Sequence, residues 1–308
     1  MADTVLITPR SFGQGDRTPL NLLENAGLTL VRNDTGGILT KEQMIGRIKD
    51  CDGVVLGVDP MDADVIAAAP RLRAIARYGV GLDNVDLAAA RARGIAVSRT
   101  MGANADAVAD FTMALMLALA RRVLPIDRGC RAGDWRKQIA LDVCGGTLGI
   151  LGLGAIGRGV ARRARGFSMR VLAYDPYWDA AYAQANGVEY AEPERIFREG
   201  DFVSLHLPLT PETQNIVGRP QIDSMKPTAI LINTARGGLV DEDALLDALK
   251  AGKLYGAGID AFAKEPPDNP DWYALDNVVI GSHCAASTRG ATANMGRMAA
   301  ENLLRDLG

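Results

Sequence analysis

The 308-residue sequence is poor in cysteine, in histidine and in net charge, and it contains no long apolar run. Each shortage narrows what the chain can do. Its four cysteines (Cys51, Cys130, Cys144 and Cys284) lie far apart and form no CxxC pair. That spacing argues against a disulfide framework or a zinc site and for reduced thiols in the cytoplasm, so no metal is expected. A net charge of −3 leaves no basic footprint for nucleic acid. The most apolar stretch, Phe111 to Ala120, is shorter than the about 20 residues that a membrane-spanning helix requires. The opening residues, MADTVLITPR, carry Asp3 and only a short apolar run, so no signal peptide is expected. Nucleic acid and membrane are thus set aside as partners, which leaves a small molecule.

What is present is a rhythm. The length suits about two domains. VLIT (5–8), GVVLG (53–57), AIAR (74–77) and IAVS (95–98) read as buried strands, with helices over 20–26, 41–49 and 62–69 that have Asp or Thr near their starts. After a long apolar helix, roughly 103–121, a second series follows: strands at 147–154, 170–175, 202–208, 229–235, 254–262 and 277–282, with helices between nearly all of them. Such alternation predicts parallel sheets with helices on both faces. A last helix, roughly 289–307, is placed to pack back on the first unit.

Gly152-Leu153-Gly154-Ala155-Ile156-Gly157 fits G-x-G-x-x-G. It follows a strand and opens a helix. The first glycine permits the tight turn, the second a close approach to a pyrophosphate, and the third close packing of helix on strand. The next strand ends in Asp175, about 20 residues on, where an acidic residue grips ribose hydroxyls. A carboxylate there repels a 2′-phosphate, and Pro176-Tyr177-Trp178 offers no arginine to hold one, so the expected cofactor is NAD. Because nearly 150 residues precede this motif, the substrate domain is expected first.

The two histidines, His206 and His283, both fall at the C-terminal ends of strands, the edge where open α/β sheets bind ligands. Arg236 and Glu265 lie beyond neighbouring strand ends. Oxidising a 2-hydroxy acid takes a base that titrates near neutrality and a cation for the carboxylate. Histidine, a carboxylate behind it and the planar fork of arginine meet those needs. Spacing alone does not bring the three together.

The sequence resembles the D-isomer-specific 2-hydroxyacid dehydrogenases, particularly the short phosphoglycerate dehydrogenase-like members, over essentially its whole length. The resemblance is carried by RYGVGLDNVD (77–86), the glycine motif, LHLPLTPET (205–213), INTARGGLVDEDAL (232–245), Asp260 with Glu265-Pro266, and SHCAAST (282–288). It implies that Arg236 binds the substrate carboxylate and polarises the carbonyl, that His283 is the acid/base, and that Glu265 partners it. It implies further that Gly79-Val80-Gly81 supplies N–H groups to the substrate, and that Ala155 and Ile156 meet the pyrophosphate. Thr100, His206, Leu207, Thr234 and Asp260 are expected along the cofactor, Asp260 near its carboxamide. The implied fold is α/β with two doubly wound parallel-sheet domains, a Rossmann cofactor domain (100–284) inserted into a flavodoxin-like substrate domain (1–99 with 285–308). A homodimer is implied, contacting through roughly 103–135, where the apolar run Phe111 to Leu117 needs a partner surface.

Some residues depart from the family pattern. Arg99-Thr100-Met101 stands where Asn-Thr-Pro is usual, Ser282 stands in place of a proline, and Cys284 follows His283. They bear on substrate choice and loop shape more than on chemistry. The resemblance points to D-3-phosphoglycerate as substrate, with Arg77 or Arg10 as candidates for its distal end. The alternatives are a glyoxylate/hydroxypyruvate reductase and, from another class, an NAD-sensing binding protein similar to the C-terminal binding protein corepressors.

Overall fold

Runs such as Val54-Val55-Leu56 and Ile230-Leu231-Ile232 are buried on both faces, as strands in the middle of a parallel sheet must be. In the computed structural model, which describes residues 2–308, the chain forms two units. One runs up to Asn104 and resumes at Ser287–Gly308; the other is Ala105–Ala286. No helix among the described residues is long and apolar enough to cross a membrane.

The first unit holds β1 (Thr4–Ile7), β2 (Thr29–Arg32), β3 (Gly53–Leu56), β4 (Ala74–Arg77) and β5 (Ala96–Arg99). They pair in parallel in the order β2-β1-β3-β4-β5, the flavodoxin-like arrangement. Helix starts follow local chemistry. Thr40 and Gln43 make a reciprocal capping box for the helix Lys41–Ile48, and the Asp62 carboxylate accepts from the N–H groups of Asp64 and Val65. One face of the sheet is covered by a cluster including Leu6, Met44, Ile48, Val54 and Ile75. The last helix, Arg289–Leu307, packs on β3, β4 and β5 through Met295, Ala299 and Leu303. Tyr78 donates its hydroxyl to the Thr292 carbonyl (3.1 Å), and the Arg73 guanidinium donates to the Leu307 carbonyl (2.8 Å).

The second unit holds β6 (Thr147–Leu151), β7 (Arg170–Tyr174), β8 (Val188–Tyr190), β9 (Phe202–Leu205), β10 (Ile230–Asn233), β11 (Gly256–Ile259) and β12 (Val278–Ile280). Their order is β12-β11-β10-β9-β6-β7-β8, all parallel. The order reverses between β6 and β9, so a ligand crevice opens beyond the C-terminal ends of those strands.

Two expectations change. The break expected at 99/100 falls after Asn104, because Thr100 is tied to Gly79 of the first unit by two hydrogen bonds of 3.0 Å. The return expected at 284/285 falls after Ala286, because the Cys284 and Ala285 N–H groups are held by Asp260 of the second unit. The run Phe111 to Leu117 is covered in part by the chain itself. In the helix Ala105–Ala120, Thr112, Met113, Leu115 and Met116 are buried within the chain's own second unit, and Gly258 lies so close that a Cβ on it would be 3.0 Å from Leu115. The rhythm also passed over the edge strands β2 and β8, which are short and only partly buried and so carry a weak apolar signal.

Leu303 is fully buried, with a methyl 3.1 Å from where a Cβ on Gly53 would sit. Leu303→Ala should therefore lower stability by about 3 kcal/mol in urea unfolding. An unchanged midpoint would show that the last helix adds nothing to the core of the first unit.

Candidate active site

The glycine turn sits in the crevice between β6 and β9. Gly152 has φ +100°, and a Cβ there would lie 2.6 Å from the backbone of His206 at the end of β9. A Cβ on Gly157 would lie 2.0 Å from the Gly152 carbonyl oxygen, so both positions exclude any side chain. Gly154 is the opposite case. It is exposed, and a Cβ on it would meet nothing within 4 Å. It precedes the helix Ala155–Ala164, whose first turn has no side-chain cap, and Ala155 is exposed beside it. Uncapped N–H groups at a helix start facing open space form an anion site.

Asp175, just past β7, is half-buried. One carboxylate oxygen accepts from Leu153 N–H (2.7 Å) and the other from Tyr177 N–H (2.8 Å). Each oxygen keeps a lone pair for a ribose hydroxyl while holding the glycine turn in place. The Leu153 carbonyl in turn accepts from Arg158 (3.0 Å), whose guanidinium pairs with Asp179 and stacks on Tyr182. Arg158 is a cation bonded to the same residue as Asp175, and it stands on the helix and not after β7.

His206 is bonded through Nε2 to Ser204 Oγ (2.9 Å), while Nδ1 is buried without a partner. Burial pulls this imidazole down to about 3, so the ring is neutral near pH 7 and is not an acid. An orphaned buried ring nitrogen, an open glycine and an uncapped helix start together suit a dinucleotide with polar atoms to satisfy them. Thr234 donates to Thr112 Oγ1 (3.0 Å), since the Thr112 hydroxyl itself donates to the Val108 carbonyl, and so retains an acceptor. Leu207 packs into the core of the second unit.

Arg236, Glu265 and His283 lie just past the ends of β10, β11 and β12, three neighbouring strands. His283 Nδ1 is 2.9 and 3.1 Å from the two Glu265 oxygens, and the side chains are 45% and 39% exposed, so Nε2 takes no part in the pair. Glu265 also accepts from Phe262 N–H (3.1 Å). A Cβ on Gly237 would lie 2.0 Å from Ala263 N, so the Arg236 turn packs backbone to backbone on the Glu265 loop. Two buried or half-buried groups that the motifs did not single out hold this edge. The Asn233 amide accepts from Ala235 N–H (3.0 Å) and donates to the Arg236 carbonyl (2.7 Å). Glu242 accepts from Ala263 N–H (2.6 Å), and burial raises its pKa.

His283 has φ +56°, a left-handed backbone that costs a non-glycine residue about 1–2 kcal/mol. The expected partner of the carboxamide, Asp260, is 1% exposed and faces this turn: its oxygens accept from Cys284 and Ala285 N–H (both 2.9 Å).

In the first unit, Arg77 does not present its guanidinium as a free cation. It is buried and donates to the carbonyls of Gly81 (2.9 Å), Leu56 (3.4 Å) and Tyr78. Thr100, expected along the cofactor, is fully buried and accepts from Gly79 N–H (3.0 Å). Gly79 is thereby engaged, and the loop's donors for a ligand are the N–H groups of Val80 and Gly81. Arg10 donates to the Gly36 carbonyl (2.7 Å).

The chain is similar to known proteins. A family model described as D-isomer specific 2-hydroxyacid dehydrogenase, NAD binding domain, matches residues 113–285. The chain is 47% identical over 274 residues to a glyoxylate reductase of Korarchaeum cryptofilum, covering 86% of this chain and 82% of that protein. It is 42% identical over 292 residues to a D-3-phosphoglycerate dehydrogenase of Methanocaldococcus jannaschii, covering 94% of this chain and 55% of that longer protein. A solved structure from Thermus thermophilus matches with a TM-score of 0.89 at 41% identity, over 99% of this chain and 96% of that one.

Two measurements check the cofactor crevice. Gly154→Ala should fold normally yet bind NADH about tenfold more weakly, whereas Gly157→Ala should lose both stability and binding; equal behaviour of the two would contradict the geometry. The pH dependence follows from His206. An unfolded histidine takes up a proton below about 6.5, and the folded ring does so only near 3. Its contribution is therefore complete above pH 6.5 and declines as pH falls toward 3, by up to about 1.4 kcal/mol per pH unit. Urea midpoints from pH 7 to pH 4 should fall less steeply in His206→Asn than in the unaltered chain.

Proposed function

The chain belongs to the D-isomer specific 2-hydroxyacid dehydrogenase family and is an NAD-dependent oxidoreductase; we propose that its substrate is a short, unphosphorylated 2-oxo acid such as glyoxylate or hydroxypyruvate. The observation that carries this choice is Arg77. The cation best placed in the sequence to meet a distal phosphate instead donates to the backbone carbonyls of Tyr78, Gly81 and Leu56. Arg10 likewise donates to the Gly36 carbonyl. A distal phosphate needs cations or a nest of N–H groups beyond those that meet the carboxylate, and an unphosphorylated two- or three-carbon acid has no second anion to hold.

In the reductive direction Arg236 pairs with the substrate carboxylate, which its planar fork matches. His283 gives its Nε2 proton to the carbonyl oxygen as hydride reaches C2, and takes it back in oxidation. Glu265 accepts from Nδ1–H, which fixes the tautomer and stabilises the imidazolium. When bound, NAD supplies the two-electron hydride chemistry. In this reading Ala155, Ile156 and Asp175 hold the cofactor.

The chain works as a homodimer in the cytoplasm on this reading. Its support is an apolar surface on residues 123–139: Trp135 is 82% and Ile139 97% exposed, with Val123 and Leu124 about half exposed. Exposed large apolar groups clustered in one segment mark an interaction surface. Four free cysteines suit a reducing compartment.

NADH oxidation across a panel of 2-oxo acids tests the substrate. The kcat/KM for glyoxylate or hydroxypyruvate should exceed that for 3-phosphohydroxypyruvate by at least about tenfold. The reverse order would make the chain a phosphoglycerate dehydrogenase, and NADH binding without turnover on any acid would favour the corepressor-like reading. His283→Asn should lower kcat by about 10²- to 10⁴-fold, while Arg77→Ala should weaken all acids alike. Sedimentation of Trp135→Ser with Ile139→Ser should give monomers where the unaltered chain gives dimers.

A further inference from the structure

We propose that Asp260 is the positioning residue for His283: its buried carboxylate is the resident anion of a backbone nest that holds the catalytic turn in its left-handed conformation. The inference deepens the dehydrogenase reading and rests on it for the role of His283.

Three successive N–H groups converge on this one residue. His283 donates to the Asp260 carbonyl, Cys284 to Oδ1 and Ala285 to Oδ2, each at 2.9 Å. The Cys284 thiol adds a weak contact to Oδ1 at 3.6 Å. A run of N–H groups that includes a left-handed residue forms a concavity for an anion, and here the anion is part of the chain. Both carboxylate oxygens are thus engaged with the backbone of the turn, and the residue is 1% exposed. Gly281 completes the arrangement. A Cβ there would lie 2.0 Å from Oδ1, so only glycine lets the carboxylate reach the turn. The His283 backbone is in turn what directs the imidazole onto Glu265. Replacing one oxygen by an amide nitrogen would set a donor against a donor, and the turn would lose its reason to stay left-handed.

Two variants and two readouts test this. Asp260→Asn removes the anion. Gly281→Ala keeps the carboxylate and displaces it, so it carries the test if the first variant fails to fold. With only two histidines in the chain, the imidazole Cε1–H proton lines of His206 and His283 are resolvable by NMR. In both variants the His283 line should shift or broaden while the His206 line stays. The shift should already be present in the cofactor-free chain, and kcat at saturating NADH should fall at least about tenfold. An unmoved His283 line would overturn the proposal. So would a kcat retained at saturating NADH, whatever happens to NADH affinity. The imidazole line is read without turnover, so an unaltered chain inactive on every 2-oxo acid would sink the functional reading and leave this test standing.

Discussion

Parallel strands end in loops whose backbone groups have left the ladder, and in this chain buried or half-buried polar side chains at the strand ends take up those groups. Asp175 past β7 holds Leu153 and Tyr177, Asn233 at the end of β10 holds Ala235 and Arg236, and Asp260 past β11 holds Cys284 and Ala285. An unpaired polar group in such a place costs about 1–3 kcal/mol, so each side chain and each loop is stable only with its partner. The first unit repeats the device. Asp59 accepts from Leu39 N–H (2.7 Å) and from the Thr8 hydroxyl, and Thr8 accepts from Gly57 N–H (2.8 Å).

The same constraint decides where chemistry sits. Because these acceptors hold the loops, Arg236, Glu265 and His283 stand on short backbone segments locked to the sheet and to one another. Glycine makes the locking possible where backbones touch, at Gly237 against Phe262 and Ala263, and at Gly281 against Asp260. The glycine turn of the cofactor crevice follows the same logic with the opposite aim. Gly152 and Gly157 close the turn, and Gly154 leaves the helix start open to an anion.

How much could be read in advance depended on range. The strand–turn–helix around Gly152 and the carboxylate Asp175 were legible because strand, turn and helix are contiguous and the acid follows at a set spacing. That His283, Glu265 and Arg236 lie past the ends of neighbouring strands was not legible from spacing, since Arg236 and His283 are 47 positions apart in the sequence. What Arg77 and Asp260 touch was not legible, because the spacing of a charged side chain beside a motif does not show which backbone groups it meets. For the apolar run Phe111 to Leu117 only burial was legible, because hydrophobicity does not name the surface that buries it.

The sequence by itself determined the α/β class, the order of strands and helices, the NAD fingerprint and the residue types needed for hydride transfer to a 2-oxo acid. These follow from period, local turn chemistry and composition, which act over a few residues. Only the tertiary structure decided which buried acceptor meets which loop, that Arg77 and Thr100 brace the glycine loop, and that Asp260 faces the His283 turn. Those pairings join residues distant in the chain, and a hydrogen bond depends on a geometry of a few tenths of an ångström that only the packed sheet supplies.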